Sequence, residues 1–275
     1  MKKLMLLVVL AALLALPMVA LAGDNDGVVQ KVGHGEVNWT GKVITVTGSG
    51  SPNLKGGAVP AQLRLQTERA AELDAYRKIL EIVKGVQVNS KQTIGAQMQA
   101  SPEVSAKVEG LIKGMRRIDT KYYSDGGVDV IVQFPLDGSL TQAVIPSDTK
   151  PVAAEAPKVQ AQAPGSQQYT GLVVDARGLK LVPALAPRIV DESGKELYDA
   201  SKIDPVTLKS AGGIAYVLNV DSAKKNNRVT DNPLIIKAAK IAEGGKCDLV
   251  IAKEDAAKLD GKDFLNKGRV VVIVD

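Results

Sequence analysis

Between Ala61 and Asn89 the apolar and charged positions separate onto two faces of a helix and then give way to alternation. Ala70, Leu73, Tyr76, Leu80 and Val83 recur three and four residues apart, with Ile79 and Ile82 beside them, which predicts one long amphipathic helix with that stripe against a core. Asp74 precedes Lys78 by one helical turn, the favoured order for an ion pair, and Arg64, Glu68, Arg69, Glu72, Arg77 and Glu81 keep the other face in water. Gly85 supplies a helix stop, and Val86 to Gln97 alternates weakly as a strand.

A helix this one-sided needs a sheet to cover it, and the flanking segments supply strand patterns. Glu36 to Gly48 reads as a strand whose apolar parity changes from Val37 and Trp39 to Ile44 and Val46, with Gly41 as a bulge between them. Ser101 and Pro102 open a second helix with Val104, Val108, Leu111 and Ile112 on its stripe and Gly114 at its end. Arg116 to Tyr123 and Val128 to Phe134 follow as strands about the turn Ser124-Asp125-Gly126-Gly127. The predicted fold class is α+β: helices on one face of a mostly antiparallel sheet over residues 36–145, preceded by a flexible arm at 23–35.

Residues 146–168 hold four prolines among Ala, Gln and Lys, a composition that cannot bury a core and reads as an extended linker. Residues 169–275 then form a second α/β or α+β domain. Its strands are expected at Leu172–Asp175, Arg188–Val190, Glu196–Tyr198, Ile214–Val220, Asp248–Ala252 and Arg269–Val274, with helices opened by Asp204-Pro205 and by Asn232-Pro233 and a short one at Glu254–Leu259. The helix from Asn232 is expected to run through Leu234, Ile235, Ala238 and Ile241 to Gly244. Val270 to Val274 is a continuous apolar run, as in a strand covered on both faces.

The chain opens with Lys2 and Lys3, an uncharged apolar run from Leu4 to Ala22, and small residues at Ala20 and Ala22, which describes a secretory signal peptide cleaved after Ala22. The competing reading is an uncleaved anchor; Pro17 and the acids Asp24 and Asp26 oppose it. After cleavage no integral membrane segment is expected, and the address is the periplasm of a bacterium, with an extracellular location as the other outcome. Without residues 1–22, which carry Lys2 and Lys3, the full chain's formal charge of +5 falls to +3, too small to argue for nucleic acid. With two Phe, one Trp and six Tyr, the core must be built from aliphatic residues, and aromatic platforms for glycans are scarce.

Candidate chemistry is sparse. Cys247 is the only cysteine, so neither a disulfide within the chain nor a thiolate metal cluster can be assembled, and His34, the only histidine and set in the Gly-rich arm, makes no convincing metal or triad site. No cofactor is expected and no catalytic residue is assigned. Gly48-Ser49-Gly50 lacks both the third glycine and the prompt helix start of a phosphate-binding loop. Asp175, Asp191, Glu192, Asp199 and Asp204 fall near strand ends but match no calcium loop, and read as turn residues. Ser193 and Ser210 lack an activating histidine. The most distinctive stretch is Tyr169 to Gly178, where Asp175 and Arg177 either contact a ligand or partner or form a structural ion pair.

The strand ending in Gly48-Ser49-Gly50, the helix with Arg69-Ala70-Ala71 and Ala75-Tyr76-Arg77, and its exit Leu80-Glu81-Ile82-Val83-Lys84-Gly85-Val86 together resemble the LPP-twenty lipoprotein family, and are similar to the N-terminal domain of flagellar assembly protein T. The resemblance covers about residues 36–145. It implies a non-enzymatic cell-envelope protein that binds envelope or flagellar proteins, a reading compatible with homo-oligomers. Those lipoproteins acylate a cysteine at the first mature position, where this chain has Gly23, so lipid anchoring is not expected. The alternative is a periplasmic small-ligand binder or enzyme with its site in the second domain.

Overall fold

A computed structural model describes residues 27–53, 60–136, 138–145 and 169–275. The expected signal peptide with its cleavage point after Ala22 and the whole of the expected linker, residues 146–168, lie outside them. Among the described residues the fold is α+β, with an antiparallel sheet under helices followed by a second, mixed sheet.

The first sheet has the order β1-β2-β3-β7-β6, with β1 at Val29–Val32, β2 at Gly35–Asn38, β3 at Val43–Gly50, β6 at Arg116–Tyr122 and β7 at Val128–Pro135. All its pairings are antiparallel. Two expectations change here. Residues 29–32, within the segment expected as a loose arm, form an edge strand hydrogen-bonded to β2. The parity change around Gly41 is a hairpin: two strands meet at a turn, where Lys42 takes a φ of 51°. Val128, Val130, Val132 and Phe134 all face the core, as their alternation requires.

Helix α1 (Pro60–Gly85) crosses this sheet with the expected Ile79, Ile82 and Val83 buried and Tyr76 and Leu80 packed against the core, but its N-terminal half turns a different face inward. Thr67, Ala71, Ala75, Ile79, Ile82 and Val83 are buried, whereas Leu73 is 58% exposed and Ala70 also faces solvent. The reason is the glycine strand beneath it. A Cβ on Gly48 would lie 2.2 Å from the Ala71 carbonyl oxygen, and one on Gly50 2.2 Å from that of Thr67. Backbone meets backbone there, so small residues line the contact and larger apolar ones turn outward. The buried Thr67 hydroxyl donates to the Leu63 carbonyl at 2.9 Å. Beyond the end of β2, Lys78 Nζ donates to the Thr47 carbonyl (2.8 Å) and Asp74 accepts from the Ser49 amide (2.8 Å), so this ion pair also satisfies the open flank of β3.

After α1 the expected strand at 86–97 resolves into a small ribbon, β4 (Gln87–Asn89) with β5 (Gln92–Thr93), and helix α2 (Ile94–Ala100), capped by Thr93. Helix α3 (Pro102–Ile112) starts as expected, with Ser101 accepting from the Val104 amide. Helix α4 (Gly138–Val144) closes the first unit.

The second sheet runs β10-β9-β13-β12-β8-β14-β11. These are β8 (Gly171–Asp175), β9 (Ile189–Asp191), β10 (Glu196–Tyr198), β11 (Ala215–Val217), β12 (Pro233–Ile241), β13 (Leu249–Ile251) and β14 (Val270–Ile273). Strand β8 is parallel to both its neighbours, β12 and β14. The segment expected as a helix from Asn232 is strand β12. Its Leu234, Ile236 and Ala238 are buried and alternate with outward Ile235 and Lys237, a period of two that the neighbouring β8 and β13 select. Strand β14 is buried on both faces, as its apolar run implies. Helices α5 (Pro205–Ala211), α6 (Val220–Lys224), α7 (Lys253–Leu259) and α8 (Asp263–Asn266) complete the unit. Among the described residues no helix is long and apolar enough to cross a membrane.

Candidate functional site

The two sequence-chosen residues meet. Arg177 donates through Nε (2.9 Å) and Nη2 (2.6 Å) to the two carboxylate oxygens of Asp175, and its amide donates to the same side chain at 3.1 Å. Those hydrogen bonds hold the Asp175 carboxyl below the usual carboxylate range. Next to them the Gly178 amide donates to both carboxylate oxygens of Asp275. The group sits past the carboxyl end of β8 beside the end of β14, where parallel sheets commonly hold ligands. Each charge is already matched by the other, with Arg177 45% exposed.

The other carboxylates serve the backbone. Asp191 accepts from the amides of Ser193 and Lys195, Asp199 from that of Ser201, and Asp204 caps α5 through the Thr207 amide. The Ser193 hydroxyl donates to Asp191 and that of Ser210 to the Thr207 carbonyl. Glu192 is exposed in the turn between β9 and β10, and His34 lies in the turn between β1 and β2. No three metal-ligating side chains gather among the described residues.

The most deeply built polar group escaped sequence reading, and it lies between the two units. Asp248 is fully buried and accepts from Arg188 Nε (3.0 Å), Nη2 (2.7 Å) and the Arg188 amide (2.9 Å). From the first unit the Ser90 hydroxyl accepts from the Asp248 amide at 2.9 Å and lies 3.4 Å from the Cys247 sulfur. Burial pushes the Cys247 thiol pKa up. The Leu249↔Ile189 register of β13 with β9 sets Asp248 beside Arg188. An acid heading an apolar strand was the available signal, because a buried carboxylate requires a partner.

The seam continues along both units. The amides of Leu185 and Ala186 donate to the carbonyls of Gln87 and Val88, and Thr40 donates to the Tyr216 carbonyl at 2.9 Å. Trp39 and Tyr216 meet edge to face with ring centroids 5.8 Å apart. Lys42 and Arg228 both donate to the Ala211 carbonyl at the end of α5. A Cβ on Gly138 would strike the Leu208 and Lys209 carbonyls, so α4 and α5 touch backbone to backbone. One continuous core spans both units.

Two open clefts flank α2. One, of about 510 Å³, lies among Lys84, Thr93, Ala96, Met98, Gln99 and Ser105. The other, of about 570 Å³, is bounded by Gln92, Gln97, Ser101, Val104, Gln142 and Ile145. Their lining is mainly amide, hydroxyl and small apolar. The charged Glu103 and Lys107 on the second pair with each other at 2.7 Å. Gln97 donates through Nε2 to Gln92, while its Oε1 is buried with no hydrogen-bond partner among the described residues.

Comparison with curated proteins gives no match to this chain. A family model described as the second domain of Treponema pallidum Tp0624 does match, and its limits coincide with the second sheet, from the first residue of β8 to Asp275: over residues 171–275 the chain is similar to that domain.

Proposed function

We propose that this chain is a non-enzymatic protein of the bacterial cell envelope, exported to the periplasm, that binds other polypeptides during flagellar or outer-membrane assembly. The observation that carries the reading is the pair of open clefts about α2. Their amide and hydroxyl linings match the donors and acceptors of a peptide backbone. Both clefts belong to the segment that resembles the LPP-twenty family, and the export signal supports the compartment. Deleting the gene tests the setting: the reading expects a defect in motility or envelope integrity, and a strain normal in both contradicts it.

A second reading has one observation in its favour, the position of Asp175 and Arg177 at the carboxyl end of a parallel strand. On that reading the second unit binds a small anionic or polar ligand there. Replacing both with Ala would abolish any ligand-dependent thermal shift; an unchanged shift excludes this site.

A further inference from the structure

We infer that the chain self-associates through strand β6, pairing antiparallel with the β6 of a second copy across a two-fold axis at Thr120. The inference is independent of the clefts about α2.

Among the described residues β6 has a strand neighbour on one side, β7. It is the longest sheet edge, with seven residues against four in β1 and three each in β10 and β11. An edge of that length offers a row of open ladder groups. The Thr120 amide donates to the adjacent Asp119 carboxylate at 2.8 Å, which marks that N–H as an outward-facing group borrowing a local acceptor. Large apolar side chains also crowd this edge: Ile118 is 45% exposed, Tyr122 49% and Tyr123 50%, and the Arg64 guanidinium of α1 stacks 4.0 Å from the Tyr122 ring.

The charges on the edge select the partner. A two-fold axis normal to the sheet keeps each side chain on its own face, so only registers that pair residues of equal parity are allowed. With the axis at Thr120, Asp119 of each copy faces Lys121 of the other, on the regular part of the strand beyond the bulge. Two ion pairs form at once. With the axis at Asp119, acid meets acid and Arg117 meets Lys121. With the axis at Lys121, the two lysines collide. An axis at Ile118 would fall on the bulge between Arg117 and Asp119 and leave Tyr122 beyond the ladder. Lys121 and the bulge thus guard the edge against foreign strands while permitting one self-pairing, and the result doubles the five-stranded sheet into a continuous one.

The test is the solution mass of the full chain, produced in an exporting host, by light scattering at micromolar concentration. The parent is expected at twice the mass of one chain. Asp119→Lys and Lys121→Asp each set like charges across the axis and are expected to lose the dimer. Mixing the two single variants, or combining both substitutions in one chain, restores opposite charges and is expected to restore the doubled mass, which a misfolded variant could not do. Independently, Thr120→Cys brings two thiols together at the axis and is expected to give a covalent dimer on mild oxidation. A parent that stays monomeric, a dimer indifferent to both single substitutions, or no covalent dimer with Thr120→Cys overturns the inference.

Discussion

Asp248→Ala and Arg188→Ala separate a structural seam from a decorative ion pair. Asp248 accepts three hydrogen bonds from Arg188 and has no exposure, whereas the Arg188 side chain keeps 25% of its surface in water. Breaking a buried pair by removing one partner costs about 3–5 kcal/mol, much of it the charge left behind. Removing Asp248 leaves a guanidinium that can turn partly to solvent, so the loss belongs near the lower figure, about 3 kcal/mol. Removing the Arg188 side chain leaves a fully buried carboxylate whose charge is unmatched, with only the backbone amides of residue 188 and Ser90 as donors and no outlet to water, and the loss belongs near about 5 kcal/mol. The order, with Arg188→Ala the worse, follows from the exposures alone. Urea unfolding of the full chain reads it, with Trp39 fluorescence reporting from the first unit and far-ultraviolet dichroism from both, and with m unchanged. Because the seam joins one core, both probes should shift together. Losses below about 1 kcal/mol for both variants, the behaviour of a surface pair, would refute the reasoning; so would the reverse order.

Gly48→Ala places a Cβ 2.2 Å from the Ala71 carbonyl oxygen and 2.5 Å from the Ala75 nitrogen, backbone atoms that cannot swing aside. It should destabilise by about 1–3 kcal/mol through forced separation of α1 from β3, visible as a lower melting temperature; an unchanged melt would count against the close approach. Cys247 is buried with its thiol pKa raised, so a thiol reagent at neutral pH should label it only on unfolding, and prompt stoichiometric labelling of the native chain would contradict that burial. Asp175 has a depressed carboxyl pKa in the folded chain, so its contribution is present above the unfolded value of about 3.9 and lost as pH falls through the lower folded value. Asp175→Asn should therefore be less stable than the parent at neutral pH, by under about 1 kcal/mol because Arg177 is largely exposed, with the gap closing in acid; a gap that widens in acid would reverse the sign.

Much of the architecture was legible because pattern and packing agree. The cap Ser101 with Pro102, the alternation of Val128 to Phe134 and the apolar run Val270 to Val274 each fix one element locally, and each is found where expected. The α1 face holds from Tyr76 onward, whereas Ala70 and Leu73 fall off it, because periodicity counts large apolar residues and the glycines of β3 reward small ones. Strand β12 was misread because Leu234, Ile235, Ala238 and Ile241 satisfy a helical period as well as an alternating one, and only the flanking strands decide between them. Asp175 and Arg177 were found as neighbours because they are two residues apart. Ser90, Arg188 and Asp248 were not, because their association depends on strand register and on contact between units distant in sequence.

Photocrosslinking inside the cell tests the proposed function most directly. A photoreactive residue at Gln99 in one cleft, or at Gln142 in the other, sits where a bound polypeptide would run. Reproducible crosslinks from both positions to flagellar or outer-membrane components are expected, lost when the probe is moved to exposed Lys258 on α7. A chain that is recovered from the periplasm with no specific crosslink at either cleft would contradict that function.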